Sequence, residues 1–453
     1  MQQPRNFDDI KFSSIHRRIM LWGSGGPFLD GYVLVIIGVA LEQLTPVLHL
    51  NAEWIGLLGA ATLAGLFIGT TLFGYISDKV GRRKMFLIDI VAIGVISVAT
   101  MFVTSPFELL IMRLLIGIVI GADYPIATSM VTEFSNTHQR AFSMGFIAAM
   151  WYVGATCANL VGYCLYEMEG GWRWMLGSAF IPCLIILIGR FDLPESPRWL
   201  LRKDRVEECD QMMIKLFGER VVFEEEPPKE TRFSQLFTRR HFPFVLFIAA
   251  IWTCQVIPMF AIYTFGPQIV GLLGLEQGRS ATLGNMIISL FFMLGCIPAM
   301  FWLDSIGRRP LLIGSFAMMT LALAALGFFP GLGIGLVVMM FAIYAFFSGG
   351  PGILQWLYPN ELFPTDIRAS AVGVIMSLSR IGTIVSVWGL PIFIANHGIS
   401  NVMLIGAAIS LVGLLISMVF APETRGLNLM QTGSLSLRRT AKTEYVPVPK
   451  SVK

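Results

Sequence analysis

Twelve runs of apolar residues, each long enough to cross a bilayer, dominate this chain of 453 residues. A helix rises 1.5 Å per residue, so about 20 apolar residues span a hydrocarbon core of ~30 Å. The runs fall near 19–41, 53–77, 84–103, 107–130, 139–166 and 172–192, then near 241–271, 280–303, 309–329, 331–357, 367–394 and 399–421. Inside a bilayer no water satisfies a backbone N–H or C=O, so runs of this length must be helices. The expected fold class is an all-α membrane protein with 12 transmembrane helices. Composition agrees, with 55% hydrophobic and 14% charged residues against about a quarter charged in soluble domains. A net charge of +4 is too small for a nucleic-acid partner. The expected partners are the lipid bilayer and a small-molecule substrate, and the chain is read as a monomer.

Basic residues orient the spans, because loops rich in Lys and Arg stay on the cytoplasmic side. Of the 33 Lys and Arg, 28 lie at the termini or on even-numbered connections, whereas the odd connections hold only Arg173 and Arg279. Both termini and the polar stretch 193–240 are therefore expected in the cytoplasm. Asn-x-Ser/Thr sites are absent and the central loop is modest, which favours a bacterial inner membrane.

A repeat divides the chain. Asp78-x-x-Gly81-Arg82-Arg83 recurs as Asp304-x-x-Gly307-Arg308-Arg309 at an offset of 226, while Glu133/Arg140 recurs as Glu361/Arg368 and Pro194-Glu195 as Pro422-Glu423 at 228. Such periodicity indicates duplication. The expected domains are a six-helix bundle over 1–192, a central loop over 193–240, a second bundle over 241–421 and a tail over 422–453. The turn at Gly81 lets Asp78 reach a helix N-terminus or a neighbouring Arg. Glu133 with Arg140, and Glu361 with Arg368, are expected to form ionic clusters that link the bundles in one state and separate in another.

These motifs resemble the major facilitator superfamily. Gly74-Tyr75-Ile76-Ser77-Asp78-Lys79-Val80-Gly81-Arg82-Arg83-Lys84 is similar to its loop signature. Pro194-Glu195-Ser196-Pro197-Arg198-Trp199-Leu200, Pro422-Glu423-Thr424-Arg425-Gly426, and Trp356 five residues before Glu361-Leu362-Phe363-Pro364 resemble the sugar-porter branch. The resemblance implies a secondary transporter working by alternating access around a midplane site, without a cofactor.

Ionisable groups within spans are costly and mark candidate sites. Asp30 lies in Gly25-Gly26-Pro27-Phe28-Leu29-Asp30-Gly31-Tyr32. Proton-coupled sugar porters place this acid one turn later, where Val33 stands, and the arrangement looks more like phosphate and aromatic-acid symporters. Gly121-Ala122-Asp123-Tyr124-Pro125 is similar to a phosphate:proton symporter signature, and Arg113 to a superfamily-wide arginine. Asp30, Arg113 and Asp123 are expected to form one proton-coupling network, with Asp89 structural. Ser379-Arg380-Ile381-Gly382 resembles a pattern of organic-anion transporters whose Arg faces the cavity.

Sugar-specific positions depart from the resemblance. The fifth-helix Gln is replaced by Ala148, and the seventh-helix polar set becomes Cys254, Gln255 and Phe260. The phosphate branch fits no better, its acid and Tyr falling at Val256 and Phe260. A hexose needs partners for its hydroxyls when it is desolvated. The candidate binding residues are Arg380, Gln255, Trp356, Trp252, Phe260, Tyr263 and Tyr152. They suit a small organic acid or other modestly polar solute, carried with protons, with a sugar or polyol as the alternative. A membrane-embedded enzyme lacks its motif, because the five His are scattered and no nucleophile elbow or metal set occurs. A sensor would need a longer cytoplasmic extension than the short tail.

Overall fold

The computed structural model describes residues 5–6, 13–134, 140–218, 221–222, 236–274, 278–329, 331, 333–363 and 365–425. The helices of the first half are α1 (Ser14–Gly23), α2 (Gly25–Val47), α3 (Ala52–Val80), α4 (Arg82–Thr100), α5 (Pro106–Glu133), α6 (Arg140–Leu165), α7 (Gly171–Gly177) and α8 (Phe180–Phe191). Short helices α9 (Pro197–Arg202) and α10 (Val206–Phe217) follow. The second half holds α11 (Phe242–Leu272), α12 (Arg279–Ser305), α13 (Arg308–Phe328), α14 (Ile334–Leu362), α15 (Thr365–His397) and α16 (Ile399–Phe420). Two-residue strands β1 (Arg5–Asn6) and β2 (Val221–Val222) pair in parallel.

Among the described residues, 11 segments have the length and hydropathy of a membrane span. The twelfth expected span is α4, whose 19 residues open on Arg82, Arg83 and Lys84 and carry Asp89, so that packing against α5 and α8 holds it in the bundle. The expected first span is longer and broken: α1 begins at Ser14, and Ser24 separates it from α2. The sixth is likewise divided into α7 and α8. Most other helices overrun their apolar runs, because polar residues continue the backbone ladder beyond the hydrocarbon.

In the first half α3 packs on α5, α2 on α6, and α4 on α5 and α8; in the second α13 packs on α14 and α16, and α12 on α14. Contacts of α2 with α11, α3 with α15 and α6 with α12 join the two sets. At one end of these joining contacts, Pro267 interrupts α11. Proline has no N–H to give the carbonyl four residues back, and Phe265 there leaves helical geometry. The carbonyls of Tyr263 and Thr264 face Gly38 of α2, where an added Cβ would lie 2.7 and 2.8 Å from their oxygens. Gln268 Nε2 donates to Gly38 O at 3.3 Å. Asn285 Nδ2 donates to Asn159 Oδ1 at 2.7 Å, Asn159 Nδ2 to Ser289 Oγ at 2.7 Å, and Arg279 pairs with Glu167 at 2.7 Å. The halves are thus closed together at the Glu167/Arg279 end.

The opposite end carries the repeated motifs, and the repeat extends to individual hydrogen bonds. Gly81 and Gly307, at φ 107° and 104°, turn the chain into α4 and α13 with backbone that side chains other than glycine's rarely tolerate. Glu195 accepts from the N–H groups of Arg82 and Arg83, both at 3.1 Å, and Glu423 from those of Arg308 and Arg309, both at 3.1 Å. A carboxylate there meets the unpaired donors and positive dipole of a helix start. Arg82 pairs with Glu133, and Arg308 with Glu361 at 3.0 Å. Ser196 and Thr424 donate to the second oxygen of the same two glutamates.

The carboxylates at the helix starts are Glu195 and Glu423, whereas the side chains of Asp78 and Asp304 lie outside those described. Glu133 and Glu361 pair with Arg82 and Arg308 of their own halves. The side chains of Arg140 and Arg368 also fall outside the described set.

Candidate functional site

A central cavity lies between α2, α6, α11, α14 and α15. Arg380, Tyr152, Trp252, Phe260 and Trp356 line it, together with Gln355, Trp151 and Met259. The aromatic wall is interlocked: Trp252 meets Trp356 edge-on at 5.0 Å, and Trp151 meets Phe260 at 5.7 Å. Such geometry lets the rings' positive edges meet negative faces and stiffens the wall. A second cavity shares Ala148 and Trp356 with the first and runs on to Arg308 at the end opposite the closed contacts. The charged residues lining the two cavities are Arg380 and Arg308.

Arg380 is 4% exposed, and its guanidinium lies over the Phe260 ring at 5.2 Å. Its Nε and Nη1 donate to nothing among the described residues, and no described carboxylate lies within ion-pair distance. A buried guanidinium is costly without an anion or acceptors. Two candidates stand behind the wall instead of on it. Gln255 Nε2 donates to Ser348 Oγ at 2.9 Å and contacts Met259 Sδ at 3.2 Å. Tyr263 packs against Trp151 at 5.3 Å and Phe292 at 4.7 Å.

Asp30 is fully buried beside the cavity, where Trp151 Nε1 donates to its Oδ2 at 2.7 Å. The same indole therefore touches both the cavity and the carboxylate. Arg113, 2% exposed, donates to Val33 O at 3.0 Å, on the turn after Asp30.

Of the three residues expected to form one network, Asp30 meets Trp151, Arg113 meets the Val33 carbonyl and Asp123 meets Arg190. Asp123 belongs to a cluster around Arg190, a residue that sequence reasoning missed. Arg190 is fully buried, pairs with Asp123 at 2.7 Å, lies 3.6 Å from Asp89, and donates to the carbonyls of Trp22 and Phe86, each at 3.0 Å. Its guanidinium covers the Phe86 ring at 3.3 Å. Gly26 leaves the room for this cluster, since a Cβ there would overlap the Asp123 carboxylate. Near the end of an apolar run, Arg190 reads as a headgroup anchor. Only the packing of α4, α5 and α8 turns it inward.

Paired helix sets, contacts repeated between them and a central cavity with an unpaired charge define a membrane transporter of the major facilitator fold, not an enzyme. The chain belongs to the sugar (and other) transporter family, whose match covers residues 20–435. It is 81% identical to a putative metabolite transport protein, YaaU, of Escherichia coli K12, over 97% of this chain and 99% of that one. It is 34% identical to the inner membrane metabolite transport protein YgcS of the same organism, over 95% and 97%. Among solved structures, the inward-open form of the xylose transporter XylE from E. coli matches with a TM-score of 0.77 at 22% identity, covering 93% of this chain and 100% of that one. That likeness concerns the fold.

Proposed function

We propose that this protein is a proton-coupled secondary transporter that moves a small organic acid by alternating access. The observation that carries the substrate class is Arg380, a buried cation on the cavity wall without a described carboxylate partner. A guanidinium clasps a carboxylate through two parallel hydrogen bonds. Asp30, joined to the cavity through Trp151, is the proposed proton carrier, with Arg113 beside it. The segments 1–192 and 241–421 rock as two bodies about the cavity, linked by 193–240, and Arg140 and Arg368 belong to the closure at the charged end. A bacterial inner membrane with both termini in the cytoplasm fits the basic loops and the relative YgcS, an inner membrane metabolite transport protein.

The alternative is a sugar or polyol, and a specific observation favours it: the chain is 29% identical to the glucose transporter GlcP of Staphylococcus epidermidis. Reconstituted vesicles separate the two. With an inward proton gradient, the acid reading expects accumulation of a radiolabelled monocarboxylate. Arg380→Lys, which keeps charge but not the fork, weakens uptake about tenfold, and Arg380→Ala weakens it further. Melting temperature and monodispersity verify that both variants fold. Uptake of neutral sugars with indifference to carboxylates would transfer the assignment to the sugar reading.

A further inference from the structure

We infer that Gln355 is a specificity-determining residue that, opposite the charge requirement of Arg380, selects carboxylates carrying a hydrogen-bond donor such as a hydroxyl. The inference rests on the organic-acid reading and narrows it.

Gln355 precedes Trp356 on α14, is 7% exposed and lines the central cavity. Its Oε1 accepts no hydrogen bond among the described residues. A second buried amide, Gln255, also has an unpartnered Oε1, but it stands behind the wall with its Nε2 committed to Ser348 and Met259. Among the described residues, Gln355 is thus the cavity-lining amide whose acceptor has no partner. An amide oxygen can be satisfied only by a donor, and a guanidinium only by an acceptor. The cavity therefore reads two unlike groups on one ligand: an anionic acceptor at Arg380 and an O–H or N–H at Gln355.

The rest of the wall limits how many such groups are tolerated. Trp151, Trp252, Met259 and Phe260 offer mainly apolar surface, so a ligand with many hydroxyls would meet few partners and keep much of its desolvation cost. The selected ligand is a monocarboxylate with one donor group on an otherwise apolar body, rather than a polyol. Sites built to hydrogen-bond a substrate hydroxyl reject analogues lacking it, because the buried protein group is then left unpaired.

Three probes differing at one position test this: mandelate, phenylacetate and α-methoxyphenylacetate, titrated calorimetrically into the purified full-length protein. We expect mandelate to bind about tenfold more tightly than either of the others, since the methyl ether keeps an acceptor and loses the donor. In Gln355→Leu the ratio falls to about one, and Arg380→Ala weakens all three. If Gln355→Leu does not fold, Gln355→Met removes the same acceptor with a different shape. Equal binding of the three by the wild type, or a hydroxyl preference that survives removal of Gln355, overturns the inference and leaves the organic-acid reading standing. Failure of all three to bind, with neutral sugars binding instead, overturns that reading and this inference together.

Discussion

Two buried arginines in this molecule have opposite fates. Arg190 meets a carboxylate at 2.7 Å, two carbonyls and an aromatic face. Arg380 meets an aromatic face and the cavity. Removing one partner of a buried pair costs ~3–5 kcal/mol, so Arg190 belongs to stability and Arg380 to binding. Asp30 shares features of both, being buried with one oxygen held by an indole that lines the cavity. Substitution Asp30→Asn keeps shape and hydrogen bonding but cannot release a proton. Accumulation driven by a pH gradient should then fall to background, while exchange of labelled for unlabelled substrate between equilibrated compartments continues. Accumulation that persists in the variant would assign the proton to another group.

At the scale of elements, the repeated helix starts are the clearest object. The first turns of α4 and α13 each begin on a positive-φ glycine and receive a glutamate supplied more than a hundred residues downstream. The carboxylate accepts two otherwise unpaired N–H groups and offsets the dipole. Both are surface-accessible sites, so the effect is modest. Glu423→Ala should cost about 1 kcal/mol, lower the melting temperature by a few degrees, and speed amide exchange at Arg308 and Arg309. Glu195→Ala should do the same at Arg82 and Arg83. Unchanged exchange in those turns would mean that the glutamates do not cap them.

Across the whole molecule, the halves meet closely at one end and enclose cavities that extend toward the other. Closure depends on backbone approaching backbone, which a side chain at Gly38 forbids. A Leu placed there would put its Cβ 2.7 Å from the Tyr263 carbonyl oxygen. The closed contact should then open, and a reporter made by Leu41→Cys, at a position now fully buried on the same helix, should become reactive toward a membrane-impermeant maleimide. Labelling as slow as in the Gly38 background would show that the closure tolerates the bulk.

Twelve spans, the repeat and the transporter class could be read from the chain because the bilayer leaves so few choices. Apolar runs of spanning length must be helices, and duplicated motifs keep their spacing whatever they contact. Five of the seven proposed binding residues do share one cavity wall, since composition and depth along a helix restrict which side chains can face inward. Which way a side chain turns, however, depends on its neighbours in three dimensions. Sequence spacing grouped Asp123 with Asp30 and overlooked Arg190 and Gln355. Helix packing set Asp123 against Arg190 and Glu133 against Arg82, and brought Gln355 and Arg380 to the wall of one cavity. One dimension records that a charge is buried, because burial follows from the run around it; its partner comes from another helix, and the crossing of those helices is a property of the fold alone.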